Sequence, residues 1–315
     1  MRAASTRLPV RPETQLARRF EASWGLVNDE LAIEVRGLCK RYGDLEAVRG
    51  IDFSVRRGEV FGLLGPNGAG KTTTVEILEG YRDRNAGEVS VLGFDPQLRA
   101  RELRERVGIV LQSTGAFRHV TVRELLRHFA GLYPAPRDVG EVIELIGLGG
   151  KEGARTRTLS GGQLRRLDLG LALIGDPELV FLDEPTTGFD PAARRGAWDT
   201  IRSLKALGKT VVLTTHYLDE AQALADRVAI VKDGRILVEG APGELGSNGG
   251  AGERDRYLVA WRNGTGLLKQ QETDDPTTLL HELTSAALAR GERLESLSVT
   301  RPTLEDVYLE LTADG

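Results

Sequence analysis

The chain is poor in the residues that build metal centres and covalent cross-links. Its one cysteine, Cys39, excludes an intramolecular disulfide and a cysteine-rich zinc site. The four histidines, at 119, 128, 216 and 281, are too few and too scattered for a histidine-rich metal centre. An excess of one charge is missing too. Against 46 acidic side chains stand 42 basic ones, a formal balance of -4. No whole-molecule field therefore draws nucleic acid or anionic lipid, and no nucleic-acid partner is expected. No apolar run approaches the ~20 residues that span a bilayer. The longest, at 179–182 and 210–213, suit buried strands. The first residues lack the apolar core of a secretory signal. These absences lead to the expectation of a cytoplasmic protein. If it serves a membrane, another chain does the crossing. What is present is ordinary soluble composition, 40% apolar and 28% charged over 315 residues, enough for one large domain and a small one.

Residues 1–30 carry five arginines (Arg2, Arg7, Arg11, Arg18, Arg19), two prolines and no apolar period, so a disordered extension is expected there. From residue 31 the pattern becomes regular. Strands are expected at 31–38 and 51–55. Buried strands are expected at 60–64, 107–111, 179–182, 210–213 and 228–231. A helix begins near Lys71 and ends at Gly80, another covers 192–207, and 122–148 reads as helical without a strand. Apolar strands alternating with amphipathic helices predict an α/β domain: a mostly parallel sheet covered on both faces, interrupted by a helical subdomain. The stretch GSNGGAG at 246–252 is a flexible break. The expected division is thus an extension over 1–30, a main domain over 31–245 and a small α+β domain over 246–315. The last has strands near 257–261 and 294–299 and helices near 277–289 and 304–311.

The first chemical motif is Gly65-Pro66-Asn67-Gly68-Ala69-Gly70-Lys71-Thr72, which fits G-x-x-x-x-G-K-[ST]. Glycines let the backbone curl until successive N–H groups point at phosphate oxygens. The helix starting at Lys71 adds its positive end. Lys71 supplies a mobile charge for the β- and γ-phosphates. The Thr72 hydroxyl suits Mg2+, a hard ion that prefers oxygen. A random match arises roughly once in 100 chains of this length; the predicted strand before the loop and helix after it lower that further.

Residues 179–184, LVFLDE, are four apolar residues ending in two carboxylates. A buried strand carries charge only where it leaves the core, and in a parallel sheet that edge is where ligands bind. Asp183 would hold Mg2+ through its water shell, and Glu184, one residue further, would polarise a water near the γ-phosphate. Leu159-Ser160-Gly161-Gly162-Gln163 then precedes a helical stretch, with Ser160 as its N-cap and the glycines exposing backbone N–H groups. Taken alone it reads equally as a capped helix after a glycine turn. Two anion-binding helix starts on one chain make sense in a two-fold dimer, each phosphate loop facing the other subunit's LSGGQ.

GPNGAGKT, Gln112, LSGGQ, LVFLDEP, Asp190 and His216 follow one another in the order and spacing of ATP-binding cassette (ABC) transporter ATPases, and the chain resembles that family over about residues 31–245. The resemblance implies a P-loop NTPase fold of ABC type: a mostly parallel core sheet, an antiparallel β subdomain and a helical subdomain, here with a small C-terminal α+β domain. It implies ATP and Mg2+ as cofactors. ATP would be held by the loop from Gly65 through Thr73, by Tyr42 stacking on adenine, and by Ser160, Gly161, Gly162 and Gln163 across the dimer. Gln112 would sense Mg2+ and the γ-phosphate, Asp190 would communicate between subunits, and His216 would contact the γ-phosphate. Taken alone, Tyr42 is a strand-end tyrosine and His216 a structural histidine. Phe189 and Leu171 depart from the family's usual leucine and arginine; neither removes a phosphate or metal ligand.

Residues 214–245 and the ending Arg301-Pro302-Thr303-Leu304-Glu305-Asp306-Val307-Tyr308 are similar to the ATPase subunits of ABC-2-type exporters, including daunorubicin-resistance-type efflux pumps. That implies a homodimer paired with separate ABC-2-type permease chains on the inner face of the cell membrane. An importer subunit and a soluble ABC protein are the alternatives. The second is opposed by the 89 positions between Lys71 and Ser160, which leave no room for a long coiled coil, and by the single phosphate loop.

Overall fold

A computed structural model describes residues 30–110, 119–245, 257–262 and 267–312. The centre is a six-stranded sheet. Its members are β3 (Val60–Leu64), β5 (Val107–Val110), β6 (Leu179–Asp183), β7 (Thr210–Thr215), β8 (Arg227–Lys232) and β9 (Arg235–Gly240), in the order β5-β6-β7-β3-β8-β9. Every pair from β5 to β8 is parallel, and β9 closes one edge antiparallel to β8. All five residues of β3 and all six of β7 are buried, as central parallel strands covered on both faces must be.

A second, antiparallel sheet joins β1 (Leu31–Tyr42), β2 (Leu45–Arg56) and β4 (Ala86–Val91) in the order β2-β1-β4. The apolar pattern predicts shorter strands at 31–38 and 51–55. The observed strands extend further because backbone pairing continues through the exposed positions Tyr42↔Leu45 and Arg41↔Glu46, where no buried face leaves a mark. Phe53 on β2 stacks on Phe61 of β3 with ring centroids 5.5 Å apart, which joins the two sheets through one core.

The stretch expected to be helical is two helices, α3 (Val122–Ala130) and α4 (Val139–Leu145), separated by Gly131, Pro134 and Pro136. They follow α1 (Lys71–Leu78) and α2 (Arg101–Arg106), and pack on α5 (Gly161–Leu173). The contact is close: a Cβ on Gly170 of α5 would lie 2.7 Å from Cδ1 of Ile146. Between the later strands run α6 (Pro191–Ala206), α7 (Leu218–Leu224) and α8 (Pro242–Leu245).

The C-terminal part holds β10 (Tyr257–Arg262), β11 (Leu268–Thr273), α9 (Pro276–Ala289) and β12 (Glu295–Thr300), with strand order β11-β10-β12. It has its own small core of Val259, Trp261 and Leu279. Strand β11 escaped the apolar pattern because LKQQET has five exposed positions. The capped helix expected after Pro302 is α10 (Leu304–Thr312). Thr303 Oγ1 accepts from the Asp306 N–H at 3.2 Å, and Asp306 Oδ2 accepts from the Thr303 N–H at 2.7 Å.

This last helix packs on the main sheet. Leu304 is 1% exposed and clusters with Leu64, Ala221, Val228, Ile230 and Leu245, while Lys232 Nζ donates to the Leu311 carbonyl at 3.2 Å. Leu304→Ala should therefore lower stability by about 2–5 kcal/mol, the usual range for emptying a buried leucine site. The check is the denaturant midpoint. A midpoint equal to that of the wild type would show that α10 does not hold to the sheet in solution.

Candidate active site

The site forms where β3, β6 and β7 end side by side. After β3 the chain turns sharply at Gly65, where a Cβ would lie 2.1 Å from the Val231 carbonyl oxygen, so no side chain fits. Gly68 and Gly70 take φ of 81° and 100°, the left-handed region that glycine enters without strain. Gly70 is also the N-cap of α1 and, having no side chain, leaves the first amides of this helix without a cap from that position. That arrangement fits an anion in the loop.

Lys71 folds back over the loop and donates to the carbonyls of Gly65 at 2.7 Å and Pro66 at 3.0 Å. Burial pushes its ammonium pKa down, and the carboxylates of Glu184 and Asp183 partly oppose that. A buried cation whose partners are neutral carbonyls is poised to exchange them for phosphate oxygens. The Thr72 hydroxyl lies 3.3 and 3.5 Å from the two carboxylate oxygens of Asp183. Thr73 follows, half-buried, in the first turn of α1.

Asp183 stands opposite Thr214 in the β6–β7 register, and Thr214 Oγ1 donates to its Oδ1 at 2.5 Å. Glu184 leaves the strand with φ 45°, uncommon for a residue with a side chain. Its N–H is held by Thr214 through the carbonyl at 3.2 Å and the hydroxyl at 3.0 Å. Its carboxylate receives the Thr187 hydroxyl at 3.1 Å and lies 3.2 Å from His216 Nδ1. His216 comes from the turn after β7, where its ring packs on Tyr217 with centroids 4.1 Å apart. The fold thus brings Lys71, Thr72, Asp183, Glu184 and His216 together.

Ser160 is the N-cap of α5. Its hydroxyl accepts from the Gln163 N–H at 3.3 Å, and Gln163 Oε1 accepts from the Ser160 N–H at 3.0 Å. Gly161 and Gly162 open this helix, with Gly162 lying against Ala193. Between the starts of α5 and α6 lies an open cleft of about 900 Å³, whose lining includes Ser160, Gln163, Glu184 and Asp190. Asp190 caps α6, accepting from the N–H groups of Ala192 and Ala193 at 2.9 and 2.8 Å. Tyr42 ends β1, with the Lys40 ammonium and Arg82 guanidinium 5.0 and 5.5 Å from its ring centre. It shares its sheet with Ala47, whose carbonyl oxygen is 2.4 Å from where a Gly70 Cβ would sit. Gln112 lies outside the described residues.

Sequence reasoning missed several residues at the site. Thr214 and Thr187 hold the two carboxylates; they sit in the segments that carry His216 and Asp190, but the residue pattern gives neither a role of its own. Arg165 of α5 donates to the Asp183 carbonyl at 3.0 Å, which ties the LSGGQ helix to the acidic strand end. Burial, with Asp183 and Glu76 nearby, pushes the Glu79 carboxyl up to about 8.

Residues 48–187 match the ABC transporter family. The chain is 39% identical over 306 residues to the daunorubicin resistance ATP-binding protein DrrA3 of Streptomyces coeruleorubidus, covering 90% of this chain and 97% of that one. To the Nod factor export ATP-binding protein I of Paraburkholderia xenovorans it is 40% identical over 296 residues, with 90% and 97% covered. Among solved structures, cbiO1 of Clostridium perfringens, part of the ABC transporter complex cbiONQ, matches with a TM-score of 0.63 at 27% identity, covering 69% of this chain and 90% of that chain. Fold and site define an ATP-binding cassette, and the resemblance read from the motifs holds. The chain belongs to the ABC transporter ATP-binding subunits, as a relative of DrrA and Nod factor export protein I, and is an ATPase.

Proposed function

We propose that the chain is the energy-coupling ATPase of an exporter for drugs or other hydrophobic compounds, working as a homodimer on a separate ABC-2-type permease at the inner face of the cell membrane. The observation that carries export is the likeness over nearly the whole chain to a daunorubicin resistance protein and a Nod factor export protein. An import role is the competing outcome. Both are tested in inside-out membrane vesicles holding this chain with its separately encoded permease. ATP-dependent accumulation of daunorubicin or another hydrophobic cation supports export. Accumulation only in right-side-out vesicles overturns it.

In this reading the amides of the loop from Gly65 to Thr72 and the Lys71 ammonium hold the triphosphate. The Thr72 hydroxyl and Asp183 carboxylate present the all-oxygen donor set that suits Mg2+, with Gln112 as a further ligand. The ion would supply charge neutralisation at the β- and γ-phosphates. Glu184 orients the attacking water and takes its proton, and His216, held beside Glu184, faces the γ-phosphate. Tyr42 supplies the adenine platform. The exposed start of α5, with Ser160, Gly161, Gly162 and Gln163, binds the phosphates bound to the opposing subunit, and Asp190 lies at the same subunit boundary. ATP closes the dimer, hydrolysis reopens it, and the helical subdomain passes the motion to the permease.

The proposed division keeps 31–245 as the nucleotide-binding domain and 246–315 as an accessory one, with 1–30 as an extension, of which residues 1–29 lie outside the described ones. All the site residues named above lie before 245, so a chain ending at Leu245 should keep ATP binding by titration. It should melt at a lower temperature, since it loses the Leu304 contact. Loss of ATP binding in a still folded truncation would place the boundary wrongly.

A further inference from the structure

Glu220, on α7, is 0% exposed, a rare position for a carboxyl group. Its Oε1 accepts from the Thr186 hydroxyl at 2.7 Å and from the Trp198 indole N–H at 3.2 Å. The Thr215 hydroxyl faces the same carboxyl group. Its Oε2 is buried with no hydrogen-bond partner, as is Nε of Arg194. Burial pushes the Glu220 carboxyl above its ordinary range, and the hydroxyls, the indole and Arg194 only partly oppose this.

The partners come from three segments that converge on the site. Thr186 stands two positions after Glu184 in the turn closed by the Thr187 N–H on the Glu184 carbonyl at 3.3 Å. Thr215 precedes His216, and its own carbonyl accepts from the N–H of Gly65 at 3.3 Å, at the root of the phosphate loop. Trp198 lies on α6, the helix capped by Asp190. A buried carboxyl group satisfied on one oxygen only costs stability. A hydrophobic residue would fill the same space more cheaply, but it could not accept from several donors at once.

We propose that Glu220 is a positioning residue for hydrolysis: its buried carboxyl group clasps Thr186, Trp198 and Thr215, so that Glu184, His216 and the Asp190-capped helix keep one mutual arrangement. This rests on the assignment of Glu184 and His216 to the chemistry. Glu220 lies behind these residues and makes no hydrogen bond to Lys71, Thr72 or Asp183, so it acts on turnover and not on holding ATP.

The test is steady-state phosphate release by the purified subunit, with ATP affinity measured separately by titration. Glu220→Ala should lower kcat about tenfold to hundredfold, the loss that follows from small misplacement of reacting groups. KM and ATP affinity should stay within about threefold, since Glu220 makes no hydrogen bond to Lys71, Thr72 or Asp183 and the Gly65 N–H is held by the Thr215 backbone carbonyl, not by its hydroxyl. Glu220→Gln keeps an acceptor oxygen in the same place and should restore most of the rate. Should the alanine variant fail to fold, Thr186→Val and Trp198→Phe, each removing one donor, should lower kcat severalfold at unchanged KM. An unchanged kcat in the folded alanine variant, or in both donor variants, overturns the proposal. So does a glutamine variant no better than alanine. Glu184→Gln is assayed in parallel. If it keeps wild-type turnover, the assignment of Glu184 fails. If it is inactive while Glu220→Ala is fully active, only the clasp fails.

Discussion

Glu184→Gln should bind ATP and fail to hydrolyse it. The carboxylate is placed by its neighbours: its backbone N–H is held twice by Thr214 and its side chain by Thr187 and His216. A glutamine carbonyl can still accept from Thr187, and the strained turn at φ 45° is set by the pairing of β6 with β7 rather than by the charge. What disappears is the base proposed for the attacking water. Positioned acid–base groups contribute about 10²–10⁴-fold in rate, or roughly 3–5 kcal/mol of barrier. Phosphate release should fall by that factor while ATP titration stays near wild type, because Lys71, Thr72, Asp183 and the loop amides are untouched. ATP held without hydrolysis should keep the proposed dimer closed, so this variant should run as a dimer with Mg-ATP and a monomer without it, by size-exclusion chromatography with light scattering. Adding Ser160→Arg should undo the dimer by filling the space of the opposing phosphate. Wild-type phosphate release from Glu184→Gln would refute the catalytic assignment.

Lys71→Ala should weaken ATP binding and abolish hydrolysis. The ammonium is partly desolvated, its pKa is lowered by burial, and it rests on the Gly65 and Pro66 carbonyls. In the proposed binding mode those carbonyls are exchanged for phosphate oxygens, a stronger, charge-assisted pairing. Hydrogen bonds to charged groups contribute about 1.5–3 kcal/mol each, so losing one or two should weaken ATP binding by at least tenfold and abolish turnover. The fold should survive, since the loop is also held by Gly65 N–H on Thr215 and Gly234 N–H on Ala69 at 3.3 and 3.0 Å. Circular dichroism beside nucleotide titration separates the two effects. Unchanged turnover would remove Lys71 from the site.

Both experiments address residues legible before any fold was known. A phosphate loop is eight consecutive residues whose conformation is local: glycines where φ is positive, a strand before and a helix after. LVFLDE is legible for a similar reason, since four apolar residues followed by two acids can sit only where a buried strand surfaces. The LSGGQ cap is local too, Ser160 and Gln163 being three positions apart. The parallel sheet follows from the alternation of apolar strands with helices.

Contacts between distant segments were not legible, because they depend on strand order and register. Thr72 reaches Asp183 across 111 positions only because β3 and β6 both flank β7. Thr214 is an unremarkable strand threonine until the register sets it against Asp183. Glu220 reads as one more acid on an amphipathic helix until α7 folds it beneath Thr186, 34 positions away. The final helix follows a glycine-rich break, yet Leu304 returns to the main core, because the sheet face beside β8 needs apolar cover. The sequence alone determined the ATPase class, the nucleotide-binding motifs and the sheet class, since each is written in contiguous residues. Tertiary structure alone decided which side chains hold the acidic pair in place and where the last helix packs, since only folding brings those partners within hydrogen-bonding distance.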